Sequence, residues 1–169
     1  MDALEAIFSR RSTREYTSEP VAEESLEQIL RAAMHAPSAG KGRPWHFVVL
    51  RERAVLDEIA RLHPYAQMMR TAPVAVLVCA DSQLERSPGF WVQDCSAATQ
   101  NMLLAAQSLG LGTAWVGLHP VAEREEALSR LAGLPAKVIP LCLVAIGHPL
   151  ESGPREDLFD PGRIHRDRW

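Results

Sequence analysis

Three short clusters in this chain carry residue types that could do chemistry. The first is Arg10, Arg11, Ser12 and Arg14, a compact basic turn after a short helical stretch. Guanidinium groups recognise phosphate oxygens in a planar, bidentate way, and a serine hydroxyl adds a donor. A solvated charge run has the same composition, so this cluster alone leaves both readings open. The second cluster is the loop Pro37-Ser38-Ala39-Gly40-Lys41-Gly42-Arg43-Pro44. Its small residues let backbone approach a ligand closely, and Ser38, Lys41 and Arg43 offer donors. A plain helix–strand connection would contain the same residues. The third runs from Gly110 to Leu118 through Thr113, Trp115, Val116 and Gly117. Bare backbone at Gly117 could lie against a flat ring, although tight helix–strand packing also uses glycines in this way.

Other common chemistries lack their residues. No G-x-G-x-x-G follows a strand, and neither a P-loop nor a G-x-S-x-G elbow occurs. His35, His46, His63, His119, His148 and His165 show no metal-ligand spacing, so no metal site is expected. Cys79, Cys95 and Cys142 form no C-x-x-C and sit in apolar or helical stretches, which reads as buried structural thiols.

The elements that must position these clusters follow from periodicity. Helical spacing is expected over 2–9, from Pro20 and Val21 through Ala33, and over 51–62, 90–109 and 121–131. Strands are expected over 45–50, 74–80, 113–117 and 141–146. The helix over 90–109 is apolar on much of its circumference, which implies burial nearly all round, either at the centre of the fold or against a partner. Gly110 suits the residue just past its end. Continuously apolar strands imply a sheet covered on both faces. The expected fold class is therefore α+β, with helices on both sides of a central sheet. With 169 residues, 47% apolar and 23% charged, the chain suits one domain of ordinary size. A net charge of −3 and the lack of a membrane-length apolar run argue against nucleic-acid or membrane partners. The acidic N-terminus is unlike a signal peptide, so a cytoplasmic location is expected. Phe159, Ile164 and Trp169 stud the charged tail from 151 to 169, which is expected to dock on this subunit or on a partner.

The three clusters, in this order and with the apolar helix between the last two, resemble the nitroreductase family. R-R-S-T-R resembles its flavin-phosphate motif, and A-P-S followed by P-W-H-F-V-V its loop and strand. D-C-S-A-A-T-Q-N-M-L-L-A-A-Q-S-L-G-L-G-T-A-W-V-G is similar to its central helix and following strand. I-G-H-P and P-R-E-D-L-F-D-P-G-R-I-H-R-D-R-W resemble the C-terminal extension of its short members. The resemblance spans the chain. It implies one nitroreductase-like domain over 1–169, a mixed or mostly antiparallel sheet, and a homodimer embraced by the extension 151–169.

It also implies a function: FMN-dependent oxidation of NAD(P)H with reduction of nitroaromatics, quinones or similar flat acceptors. Alternatives on the same scaffold are dehalogenation, flavin cleavage or FMN binding without turnover. A cofactor-free interaction domain is the reading outside that scaffold. By matching position, Arg10, Arg11, Ser12 and Arg14 would hold the FMN phosphate and pyrimidine edge, with Arg14 stabilising negative charge on the flavin. Pro37, Ser38 and Ala39 would come from the other subunit, Trp115, Val116 and Gly117 would line the ring, and Arg155 would reach the phosphate. Lys41 and Arg43 stand where the family often has Asn and Gln, and Leu158 where a basic residue is common. Positive charge from Lys41 or Arg43 is expected to compensate. Tyr65 to Arg70 and Pro88 to Trp91 would shape the open face. No side chain is required as a nucleophile or acid–base group.

Overall fold

The computed structural model describes residues 1–151, 153 and 157–169. Its strands are β1 (Trp45–Leu50), β2 (Val74–Asp81), β3 (Gly112–Gly117) and β4 (Val138–Gly147). Its helices are α1 (Ala3–Ser9), α2 (Glu23–Met34), α3 (Arg53–Leu62), α4 (Trp91–Ser108) and α5 (Ala122–Ala132). The strands lie in the order β1-β2-β4-β3, with every neighbouring pair antiparallel. The mixed alternative for the sheet is thereby resolved.

Successive strand residues face opposite sides, and both sides of this sheet are covered by helices. Val74, Val76 and Val78 of β2 join Cys142, Val144 and Ile146 of β4 against α2 and α4. Ala75, Leu77 and Cys79 join Leu143, Ala145, Ala114 and Val116 against α3 and α5. Two-sided burial explains why β2 reads as an unbroken apolar run rather than an alternating one. The three thiols are buried and free, and burial pushes each up to about 12. They behave as small apolar side chains with no reactive thiolate.

Helix α4 is buried along Cys95, Ala98, Thr99, Met102, Leu103 and Ala106, but Gln93, Gln100 and Ser108 reach solvent. Within this chain α4 is therefore buried along a stripe with half-buried flanks, and burial of the remaining face would need a partner. The stripe lies between the sheet and α2. Asn101 Nδ2 donates to the Ala32 carbonyl (3.0 Å), tying α4 to α2, and Gln107 Nε2 donates to Ser9 Oγ (3.1 Å), tying it to α1. Gly110, at φ +77°, ends α4, and Leu111 N–H returns to the Ala106 carbonyl (2.9 Å). This left-handed stop turns the chain at once into β3.

Strand β4 starts at Val138, three residues before the apolar run at Leu141. Pro140 concealed this start. The ladder shifts register between Val78 and Cys79, and Pro140 lies opposite Cys79 at that irregularity. Bulges are where a strand tolerates a residue lacking an N–H.

The segment after α1 runs beside the outer edge of β3. Thr13 N–H donates to the Thr113 carbonyl (2.8 Å), and Thr17 N–H to the His148 carbonyl (3.0 Å). Tyr16 is buried against Gly147, and its hydroxyl donates to the Thr13 carbonyl (2.6 Å). The approach is close enough that a Cβ on Gly112 would lie 2.6 Å from Thr13 Oγ1. Gly112→Ala should therefore cost about 1–3 kcal/mol through overpacking, read as a lower thermal midpoint. An unchanged midpoint would show that this contact relaxes freely.

Candidate active site

In the extended segment that covers β3, side chains alternate. Ser12 and Arg14 are exposed, while Arg11 and Thr13 are half-buried on the opposite side. The Arg11 guanidinium turns back to the end of α1, donating to the carbonyls of Phe8 (3.0 Å) and Arg10 (2.8 Å). Arg14 points the other way and lines an open cavity of about 520 Å³. That size is ordinary for a small-molecule or cofactor site.

Trp115, Val116 and Gly117 form one wall of this cavity. Trp115 is 37% exposed although its neighbours Ala114 and Val116 are buried. A Cβ on Gly117 would meet nothing within 4 Å, so the wall there is bare, open backbone. The first and third clusters therefore meet in space, because the segment carrying Arg14 lies along the strand carrying Trp115.

The opposite wall comes from the turn after α3 and from α5, through His63, Tyr65, Gln67, Met68 and Arg124. Tyr65 and Met68 belong to the stretch expected to shape the open face. Met69, from the same stretch, is instead fully buried in the core. Trp91, from the second such stretch, packs edge-on against His119 at 4.7 Å between ring centroids.

His63 and Arg124 were not singled out from the sequence. His63 is 1% exposed. Its Nδ1 accepts from Tyr65 N–H (3.2 Å) and its Nε2 faces the Gly117 carbonyl (3.0 Å). That pairing suits a neutral imidazole with hydrogen on Nε2. Burial lowers its pKa from the ordinary imidazole value, only partly opposed by the hydrogen bond to Gly117. The ring thus fixes both the Tyr65 turn and the end of β3. Arg124 reaches the same carbonyl through Nη1 (3.5 Å), with its guanidinium 5.5 Å from the Tyr65 ring centroid.

The second cluster does not line this cavity. The Ala39 N–H donates to the buried Asp94 carboxylate (2.9 Å), and Arg43 N–H donates to Ser38 Oγ (3.0 Å). Gly40, Lys41 and Arg43 all have positive φ, at 57°, 57° and 49°. For Lys41 and Arg43 this is an uncommon backbone state. A Cβ on Gly42 would lie 2.8 Å from the Leu84 carbonyl. The loop is a tightly packed unit with Pro37, Lys41 and Arg43 facing outward. Arg155 lies outside the described residues. Among the described residues no group of His, Cys, Asp and Glu could hold a metal. No helix among them is long and apolar enough to cross a membrane.

Comparison with known proteins decides the family. The Nitroreductase family model matches residues 7–63 and 56–148. The chain belongs to the nitroreductase family. A Methanothermobacter thermautotrophicus protein, provisionally named NADH dehydrogenase/NAD(P)H nitroreductase, is 53% identical over 169 residues, covering 100% of this chain and 88% of its own. A crystal structure of a similarly named Parabacteroides distasonis protein superposes at a TM-score of 0.95 with 36% identity, covering 99% of this chain and 98% of its own. A Desulfovibrio desulfuricans structure, provisionally named a nitroreductase and solved in complex with FMN, superposes at 0.86 with 32% identity, covering 100% of this chain and 98% of its own.

A buried neutral histidine also has a pH signature. Above the ordinary imidazole pKa, about 6.5, folded and unfolded chains both hold it neutral. As pH falls below that value the unfolded chain takes a proton that the native site resists, so native stability is lost. The thermal midpoint should therefore fall more steeply between about pH 7 and about pH 5 in the native protein than in His63→Gln. Equal slopes would mean that His63 does not contribute.

Proposed function

We propose that the chain is an FMN-dependent NAD(P)H oxidoreductase. It reduces nitroaromatics, quinones or similar flat acceptors, and acts as a homodimer whose subunits share the flavin site. The observation that carries this reading is the meeting of Arg14 with the Trp115–Gly117 wall in one cavity. Residues present there fit the cofactor. A bare-backbone wall suits a planar ring, and the Arg14 guanidinium, with no carboxylate among the lining residues, suits a phosphorylated anion. Family membership supports the cofactor, as does the FMN complex of the Desulfovibrio relative.

FMN, when bound, supplies the hydride chemistry, and the protein supplies orientation, charge and shelter from water. Ser12 and Arg14 share a face from which a hydroxyl and a guanidinium can hold phosphate or the polar ring edge. Arg10 flanks them. Arg14 makes no ion pair with a described residue, so its charge is available to stabilise negative charge developing on a bound ring. Arg11 contributes by fixing the turn that aims its neighbours. Trp115, Val116 and Met68 give an apolar lining.

The packed loop carrying Pro37, Ser38, Ala39, Lys41 and Arg43 would close the site of the second subunit, which accounts for its absence from this chain's own cavity. Support for the dimer comes from apolar side chains that one chain leaves in water. Leu4 and Phe8 on α1 are each 63% exposed, and Phe159, Ile164 and Trp169 are exposed along the tail. A surface this apolar favours association. The extension 151–169 is therefore assigned to the partner's surface, within one functional domain over 1–169. Arg155, on resemblance alone, would reach the phosphate.

Purified protein incubated with FMN and desalted should retain a flavin spectrum. NAD(P)H should bleach it, and a quinone or nitroarene should restore it. Retained flavin that NAD(P)H cannot bleach would leave a binder without turnover, and failure to retain flavin would remove the site. Arg14→Gln should weaken FMN binding by about tenfold to a hundredfold, the scale of one charge-assisted hydrogen bond. Light scattering should give twice the 18.7 kDa chain mass, and Phe159→Asp should shift that mass towards the monomer.

A further inference from the structure

The flavin reading leaves one cation in the cavity without a task. Arg124 is the third residue of α5, and its guanidinium lies 5.5 Å from the centroid of the Tyr65 ring. Tyr65 is itself 70% exposed. Among the described residues the one acceptor for Arg124 is the Gly117 carbonyl, at a long 3.5 Å and shared with His63. It forms no ion pair with a described residue. Neighbouring Glu125 is turned to His119 Nδ1 at 2.7 Å. Its place in the first turn of α5 adds the positive end of the helix dipole.

We infer that Arg124 and Tyr65 form a clamp selecting flat acceptors that carry an anionic group, such as an aromatic carboxylate. This inference rests on the oxidoreductase reading above. The exposed Tyr65 ring offers an aromatic surface for a planar ligand. The guanidinium above it reaches Gly117 through Nη1 and presents its remaining donors in a fork that matches a carboxylate. Arg124 also touches the carbonyl of Gly117, the bare-walled residue proposed to face the ring. The selected anion therefore belongs to the small ligand within the cavity, close to that wall. A nicotinamide dinucleotide would carry its ribose phosphate well away from its reacting ring.

The test uses FMN-loaded protein and a matched pair, 4-nitrobenzoate and 4-nitrobenzamide, differing chiefly in charge. Calorimetry without NAD(P)H gives the dissociation constants in the absence of turnover, and NAD(P)H oxidation gives kcat/KM for each. The native protein should favour the carboxylate by roughly tenfold in both readouts, the scale of one charge-assisted hydrogen bond. Arg124→Met, which keeps an unbranched stem over Tyr65, should bring both ratios close to one. Arg124→Lys should restore part of the preference, and high salt should reduce it in the native protein. An Arg124→Met protein with the native ratio, or one weakened equally towards both ligands, would overturn the clamp. So would a change confined to NADPH over NADH, which would assign Arg124 to the dinucleotide. Failure of the oxidoreductase reading looks different: no flavin is retained, or NAD(P)H fails to bleach it, whichever nitroarene is present.

Discussion

The Thr13 N–H bond to the Thr113 carbonyl is the contact on which the rest of the site depends. It fixes the segment after α1 beside β3, and alternation along that segment then decides which side chain goes where. Arg11 is turned to the helix end, and Arg14 to the cavity. The same contact covers an otherwise open strand edge. Gly112 permits the approach and buried Tyr16 anchors the far end. One backbone arrangement thus serves stability and places charge beside a bare strand wall.

The sheet beneath supplies stiffness. Its two central strands are buried on both faces, and helices α2 and α4 on one side oppose α3 and α5 on the other. Such a close-packed layer holds Trp115 to Gly117 still while loops at the sheet's end carry the variable chemistry. His63 extends that stiffness outward. Both of its ring nitrogens are committed, one to the Tyr65 turn and one to Gly117, so the two cavity walls are joined by a single buried imidazole.

Much of this was legible in the sequence because it is local. The four strands show as apolar runs, and the basic turn and the glycine-framed β3 announce themselves by composition. What escaped is tertiary. Arg124 sits in A-E-R-E-E-A-L-S-R, which periodicity marks as helical and nothing more, and the packing of α5 against β4 and α3 brings it to the cavity. His63 is one histidine at a helix end, and its burial depends on a carbonyl 54 positions away. Pro140 hid the start of β4 because a proline argues against a strand unless a bulge receives it. The tail's aromatics, expected to dock, are exposed on this chain, and their docking on a partner belongs to the proposed dimer.

The proposed site holds a ring against Trp115–Gly117, with Arg14 at its polar edge and a second subunit's loop 37–43 closing over it. A crystal structure of the FMN-loaded protein tests this most directly. The account predicts flavin density against that wall, within hydrogen-bond reach of Arg14, and with loop 37–43 of another copy in contact with it. Flavin bound wholly within one chain, or away from the Arg14 cavity, would contradict it.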